Sequence, residues 1–300
     1  MAQKNTANII DVEQAVLSDI KDIWLDGKFN YVDVGAYDGS FALKVANCGL
    51  PVREMHLIEA EPKAYAELCN IFKEKTLAYC YKTAAGEKTK EIILRRAKTM
   101  TSAMPGNKQL SNRDICVNCN RLDEILSGRV REGITLMKID VEGMELDVIE
   151  GAHQLLSDGN TSMIYIEVGF NPPHSTKGVA AKGTYQQTSF LDVYNSLDSL
   201  GFKLCRFYEQ KNNWIQDSPV LRRANVLFLH KEFIKTHPFS LAGRLNKMQE
   251  ELNTLRNIVE NTTLKSNMMS QSDMIKKMNQ IETELKSFKR LNLSEKSAQS

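Results

Sequence analysis

The chain has 300 residues, 42% hydrophobic and 25% charged, with a net charge of +2; this profile suits one sizeable globular domain plus an appendage. So even a balance gives no reason to expect nucleic acid as a partner. No run approaches the ~18 uncharged apolar residues needed to span a bilayer, and the opening MAQKNTANIIDVEQ lacks the apolar core of a secretory leader.

The elements follow in chain order. Ile10, Val16, Ile20, Ile23 and Trp24 predict a helix over 10–24, with Asp11 and Gln14 as a capping box. Asn30–Gly35 reads as a buried strand breaking into a glycine loop, followed by a helix through Phe41, Leu43, Val45 and Ala46. Met55–Ile58 is a second strand, and Pro62 opens the next helix. Tyr79–Lys82 and Glu91–Leu94 have strand character, whereas the polar stretch 97–114 reads as a loop. Ile134–Ile139 is the clearest buried strand, followed by a helix over Glu145–Leu156 and a strand over Met163–Val168. A helix over Ser189–Leu200 stops at Gly201, and Phe202–Phe207 and Asn225–Leu229 close the series. Such alternation predicts an α/β fold with a mostly parallel sheet and helices on both faces. Function is then sought just beyond the carboxyl ends of the strands.

Three strand ends carry chemistry. The first is Gly35-Ala36-Tyr37-Asp38-Gly39-Ser40 after Asp33. Its spacing differs from the Gly-x-Gly-x-x-Gly of dinucleotide binders. Asp33 and Asp38 would repel a pyrophosphate and attract a sulfonium or ammonium group. The second is Glu59-Ala60-Glu61, where a carboxylate can accept from both hydroxyls of a ribose; Glu61 is favoured, with Glu59 as the alternative. The third is the run Lys138 to Glu145, with Asp140 expected to orient donor or acceptor and Glu142 to act as base. Lys138, on a buried strand, is expected to pair with a carboxylate. The competing reading makes Asp140 and Glu142 helix caps.

ITLMKIDVEGMELDVIEGA closely resembles the signature of the FkbM family of methyltransferases, and VDVGAYDGSFAL and Glu61-Pro62 resemble that family's first and second motifs. The segments 83–87, 119–126 and 164–170 fall in the family's order, so the resemblance covers about residues 28–230. It implies a Rossmann-like class I methyltransferase with a seven-stranded sheet, using S-adenosylmethionine to methylate hydroxyls on sugars or secondary metabolites. It also implies that Asp33, Gly35 and Gly39 line the donor site, Glu61 meets the ribose and Ala84 lies near the adenine. Tyr37 stands where many members carry Asn.

The irregular segment 171–189, rich in Pro, Gly and Lys, is expected to close over the acceptor, with Glu167 and His174 facing the site. Cys116 and Cys119 lack a second pair of ligands for zinc and are expected on opposite faces of a strand. No metal is expected. All six cysteines (Cys48, Cys69, Cys80, Cys116, Cys119 and Cys205) read as reduced thiols, which makes the cytoplasm the expected compartment. Residues 231–300 carry 12 Lys/Arg against 8 Asp/Glu, a mildly basic tail behind a mildly acidic body. Within it, Leu245, Met248, Leu252, Leu255 and Val259 form one apolar seam, and Met274, Met278, Ile281, Leu285 and Phe288 another. This predicts a coiled-coil tail over 240–292 that joins copies of the chain through residues 241–290. The expected layout is an N-terminal helix (1–27), a methyltransferase domain (28–232) and this tail. A nicotinamide oxidoreductase and a non-catalytic assembly module are the alternatives. The first is disfavoured by Asp38, the glycine spacing and the lack of a hydride-transfer pair, the second by the intact set of acidic and glycine residues.

Overall fold

The protein is described by a computed structural model. It defines residues 12–24, 27–75, 77–96, 101–103, 111–130, 132–170, 188–215, 218–237, 243, 245, 247–254, 276 and 278–283. Two compact units divide the chain, Met1–Lys231 and Glu232–Ser300.

The first unit opens with α1 (Val12–Ile23), β1 (Phe29–Val34), α2 (Ser40–Asn47), β2 (Val52–Glu59), α3 (Pro62–Phe72) and β3 (Ala78–Lys82). The short strands β4 (Ala84–Ala85), β5 (Lys90–Arg96), β6 (Thr101–Ala103) and β7 (Asp114–Asn120) follow, then α4 (Leu122–Ile125). The remainder of this unit is β8 (Ile134–Ile139), α5 (Glu145–Gly151), α6 (His153–Leu156), β9 (Thr161–Gly169), α7 (Phe190–Ser199), β10 (Phe202–Ile215) and β11 (Ser218–His230); α8 (Lys231–Thr236) begins at its last residue and otherwise belongs to the second unit.

Seven strands form the main sheet in the order β10-β11-β9-β8-β1-β2-β3. The run β3 to β9 is parallel, and β11 inserts antiparallel between β9 and β10. This is the Rossmann-like architecture expected from the sequence. Strand order reverses at β1, whose neighbours are β2 and β8; there the connections diverge and leave a crevice above the strand ends.

The pleat sorts the core onto two faces. Val32, Val34, Ile58, Met137, Ile139, Ile164 and Ile166 pack with Leu122, Val148, Ile149, Leu156, Val193 and Leu197 on one side. Tyr31, Met55, Leu57, Leu136 and Tyr165 pack with Val16, Leu17, Ile20, Phe41, Val45, Leu68 and Phe72 on the other. Every residue of β1 is buried, and each large apolar side chain so buried contributes about 1.5–3 kcal/mol. Pro62 at the first turn of α3 and Glu61 at its N-cap, accepting from the Ala64 amide at 2.7 Å, start that helix cleanly.

Two expectations needed adjusting. The stretch read as a loop over 97–114 contains β6, which pairs with β5 in a second, four-stranded sheet ordered β4-β7-β5-β6. The helix expected over Glu145–Leu156 breaks at Ala152 into α5 and α6. In β7, Cys119 is buried and Cys116 exposed, opposite faces of one strand as the pleat requires. All six cysteines are free.

In the second unit, helical residues 247–254 and 278–283 are among those defined. Leu252 and Ile281 are buried together, with Leu245, Met248 and Met278 against them. Side chains from the two predicted seams therefore meet within one chain. The other seam positions, Leu255, Val259, Met274, Leu285 and Phe288, lie outside the described residues. Among the described residues no helix is long and apolar enough to cross a membrane.

Candidate active site

A cavity of about 250 Å³ opens at the carboxyl ends of β1, β2 and β8. Gly35 and Tyr37 line it from the first strand end, Glu59 and Ala60 from the second, Thr83 to Ala85 and Leu94 from the small sheet, and Asp140, Val141, Glu142 and Met144 from the third.

Local backbone chemistry holds these loops together. Gly35 has φ +85, and a Cβ there would sit 2.0 Å from the Asp140 carbonyl oxygen. Only glycine lets the loops after β1 and β8 approach this closely. The Gly35 and Ala36 amides both donate to the Ile58 carbonyl at 3.0 Å, joining the same loop to β2. Gly39, φ +75, is the N-cap of α2 and abuts Leu68 and Phe72. Asp38 accepts from the Ser40 amide at 3.0 Å. Tyr37 is half exposed with φ +48, a left-handed backbone in which Asn is more at ease than Tyr.

Of the two carboxylates expected at the ribose, Glu59 and Glu61, only Glu59 lines the cavity. It is the last residue of β2, and its Oε2 accepts from the Tyr37 amide at 2.8 Å and its Oε1 from the Glu61 amide at 2.6 Å. Burial raises its pKa, which those amides partly offset. Each oxygen keeps further lone-pair capacity. Glu61 is not among the residues that line the cavity; its Oε2 caps α3, because it stands one position before the first helical residue.

Asp33 is likewise displaced from the cavity wall. Its side chain falls on the α2 face of the sheet, where Tyr31 Oη donates to Oδ2 at 2.8 Å and Lys138 Nζ lies 3.5 Å from Oδ1. Lys138 also reaches Asp140 Oδ2 at 3.3 Å, with its ammonium 5.8 Å from the Phe41 ring centre. Burial opposes the Lys138 charge, but the two carboxylates overcome it and raise the pKa. The expected pairing of Lys138 is therefore double. Lys138 thus links Asp33 to Asp140, which lines the cavity.

Glu142 is the most unusual group. It has φ +55 without being glycine, and its Oε2 is buried with no hydrogen-bond partner among the described residues. Burial, reinforced by Asp140 and Glu167 and partly offset by Arg223, pushes its pKa up to about 8. A left-handed, non-glycine residue costs of order 1–3 kcal/mol and marks a position held for a purpose. Neither Asp140 nor Glu142 caps α5: its N-cap is Met144, without a side-chain bond. Glu145 instead folds back on the loop, accepting from the Gly143 amide at 3.1 Å and the Val141 amide at 3.3 Å, and from the Thr188 hydroxyl.

Ala84 lines the cavity from the small sheet. Glu167, on β9, accepts from Arg223 on β11 at 2.5 Å. Sequence reasoning missed Arg223, since nothing in its neighbourhood signals that β11 runs beside β9. Thr83, Leu94 and Met144 were also missed; Leu94 joins the wall from β5 of the small sheet, Thr83 from the turn between β3 and β4, and Met144 from the N-cap of α5. His174 and segment 171–187 lie outside the described residues. Among the described residues no acidic, cysteine and histidine cluster could hold a metal ion.

Comparison with known proteins completes the picture. No match was found among curated proteins. Similar solved structures include methyltransferase FkbM from Methylobacillus flagellatus KT, at 18% identity and TM-score 0.43, over 69% of this chain and 45% of that one. TrmK from M. capricolum, solved with S-adenosyl-homocysteine, matches at 9% identity and TM-score 0.38, over 90% and 96% of the two chains. Precorrin-6y C5,15-methyltransferase from Geobacter metallireducens GS-15 matches at 12% identity and TM-score 0.40, over 73% and 87%. The chain thus spans less than half the length of the first of these. The methyltransferase FkbM domain profile matches residues 33–204, from Asp33 at the end of β1 to Leu204 in β10 and more than half of the sequence, and the chain belongs to that family.

Proposed function

We propose that this FkbM-family protein transfers a methyl group from S-adenosylmethionine to a hydroxyl on a sugar, glycan or small metabolite in the cytoplasm. The observation that carries the reading is one cavity walled by Glu59, at the end of β2, and by Glu142, a half-buried carboxylate whose Oε2 is buried without a hydrogen-bond partner among the described residues. The residues fit the donor. Glu59 has lone pairs for two ribose hydroxyls, Ala84 and Leu94 offer apolar surface to a base, and Asp140 and Glu142 favour a cation. When bound, S-adenosylmethionine supplies an electrophilic methyl group.

Glu142 would take the proton of the acceptor hydroxyl, whose oxygen would then receive the methyl group that the bound donor supplies. A carboxyl with a pKa near 8 is mostly protonated at pH 7, and a sulfonium beside it lowers that value. The base is therefore armed by the donor it serves. Glu167 and Arg223 border Glu142, as its electrostatics require, and are suited to orient a polyhydroxylated acceptor. His174 is carried as a further acceptor contact. A dinucleotide fits less well, because its pyrophosphate would meet Asp140 and Glu142. For the tail, self-association through residues 241–290 is proposed; light scattering on the chain and on a deletion of 240–300 tests it, and a monomeric parent would end it.

Incubation with methyl-labelled S-adenosylmethionine and separate glycan, small-metabolite and RNA fractions tests the activity. Label is expected in the glycan or metabolite fraction, in ether linkage stable to mild base. Label confined to RNA would overturn the acceptor class.

A further inference from the structure

A second cavity, of about 350 Å³, lies at the β2–β3 edge of the main sheet, toward the start of β2 and so away from Glu59. Arg53, Glu54 and His56 from β2, Tyr79 and Tyr81 from β3, and Arg129 beyond α4 form its wall. Much of this wall is already committed. The His56 and Tyr79 rings stack at 5.3 Å, and the Tyr81 hydroxyl meets His56 Nδ1 at 2.9 Å. Arg129 lies 5.3 Å over the Tyr81 ring, and Arg53 pairs with Glu132.

Apart from Arg53 Nη1, which is buried beside the Glu132 carboxylate, two polar atoms of this wall are left over. His56 Nε2 and Glu54 Oε1 are buried, have no hydrogen-bond partner among the described residues and stand 3.8 Å apart, too far to satisfy each other. His56 is 1% exposed and Glu54 9%. Buried polar atoms of this kind are normally met by something. One is a carboxylate oxygen, which only accepts; the other is an imidazole nitrogen. Burial lowers the His56 pKa against the pull of Glu54, which favours the neutral ring. A phosphate would bring only acceptor oxygens, which Glu54 Oε1 cannot meet, and the two cations of the wall are already engaged, Arg53 by Glu132 and Arg129 by the Tyr81 ring. A hydroxyl can donate to Glu54 and bond to either tautomer of His56. Tyr79, 47% exposed, adds a ring face for the C–H surface of a sugar, the apolar wall with few polar anchors that small-molecule sites favour.

We propose that the β2–β3 pocket is a second ligand site, which binds a neutral saccharide unit independently of the methyl-transfer cavity. Such a site would hold a glycan at a point away from the reacting hydroxyl. The pocket binds with or without S-adenosylmethionine, so its test does not depend on the methyltransferase reading.

Saturation-transfer NMR on the 300-residue chain, without S-adenosylmethionine, is the test. The probes are the methyl α-glycosides of glucose, galactose, mannose and N-acetylglucosamine. At least one is expected to give transfer. Its affinity should fall roughly fivefold or more in Tyr79→Ala and in Glu54→Gln, the loss of one contact each, and inorganic phosphate should not displace it. Tyr79 is half exposed, so Tyr79→Ala is expected to fold and carries the test alone if Glu54→Gln does not. Absence of transfer from all four probes, unchanged binding in Tyr79→Ala, or displacement by phosphate would overturn the proposal.

Discussion

The Tyr37 amide donates to Glu59 Oε2 at 2.8 Å, so the glycine loop after β1 is tethered to the last residue of β2. The same carboxylate therefore shapes the loop and faces the cavity.

Glu59→Ala should weaken S-adenosylmethionine binding by about 10–100-fold, the loss of one or two hydrogen bonds to a charged group. Glu61→Ala should instead cost about 1 kcal/mol of stability through its cap and change donor affinity little. Calorimetric titration and urea unfolding of the two variants separate these outcomes. A larger affinity loss in Glu61→Ala would return the ribose to that residue.

Most of the sheet was legible in the sequence because its strands are short apolar runs with glycine at their ends: Ile134–Ile139 was read to the residue. The edges were less so. β10 runs to Ile215 through polar residues such as Lys211 and Asn212, and β6 sits in a stretch without apolar periodicity, so both are set by pairing with a neighbour rather than by local pattern. Within the site, the acidic strand ends were visible but their division of labour was not. Glu59 and Glu61 differ by two positions, and which one faces the ligand depends on where β2 stops and α3 starts. Asp33 turns toward Tyr31 and Lys138, a side-chain direction at a strand end that spacing does not give. Arg223 required knowledge of strand order.

Gly35→Ala places a Cβ against the Asp140 carbonyl at φ +85. It should cost at least ~2 kcal/mol from left-handed strain and overpacking and abolish measurable donor binding. Denaturant melts and calorimetry read both. A variant of parental stability would show that the two loops are not locked together.

Lys138→Met leaves Asp33 and Asp140 without their shared cation. A loss of about 3–5 kcal/mol is expected, the penalty for breaking a buried pair from one side. Adding Asp33→Asn should recover part of it. If the double variant is no more stable than the single one, Lys138 stabilises the sheet by packing and not by charge.

Glu142 in the folded protein holds its proton up to about pH 8, whereas an unfolded Glu loses it near 4.3. Between those values the folded state binds more protons, so this residue's contribution to stability falls as pH rises. Glu142→Gln should therefore melt above the parent by a margin that is small at pH 4.5 and widens toward pH 8. A constant margin would show that the carboxyl titrates normally.

The most direct test of the account is the number of protons released when S-adenosylmethionine binds, measured by calorimetry at pH 7 in buffers of different ionisation enthalpy. If the donor's sulfonium lies beside a carboxyl whose pKa is about 8, saturable binding should release close to one proton, ~0.8–0.9 for a pKa drop of about two units. Glu142→Gln should bind and release almost none. No saturable binding, or equal proton release from parent and variant, would contradict the placement of donor and base in one cavity.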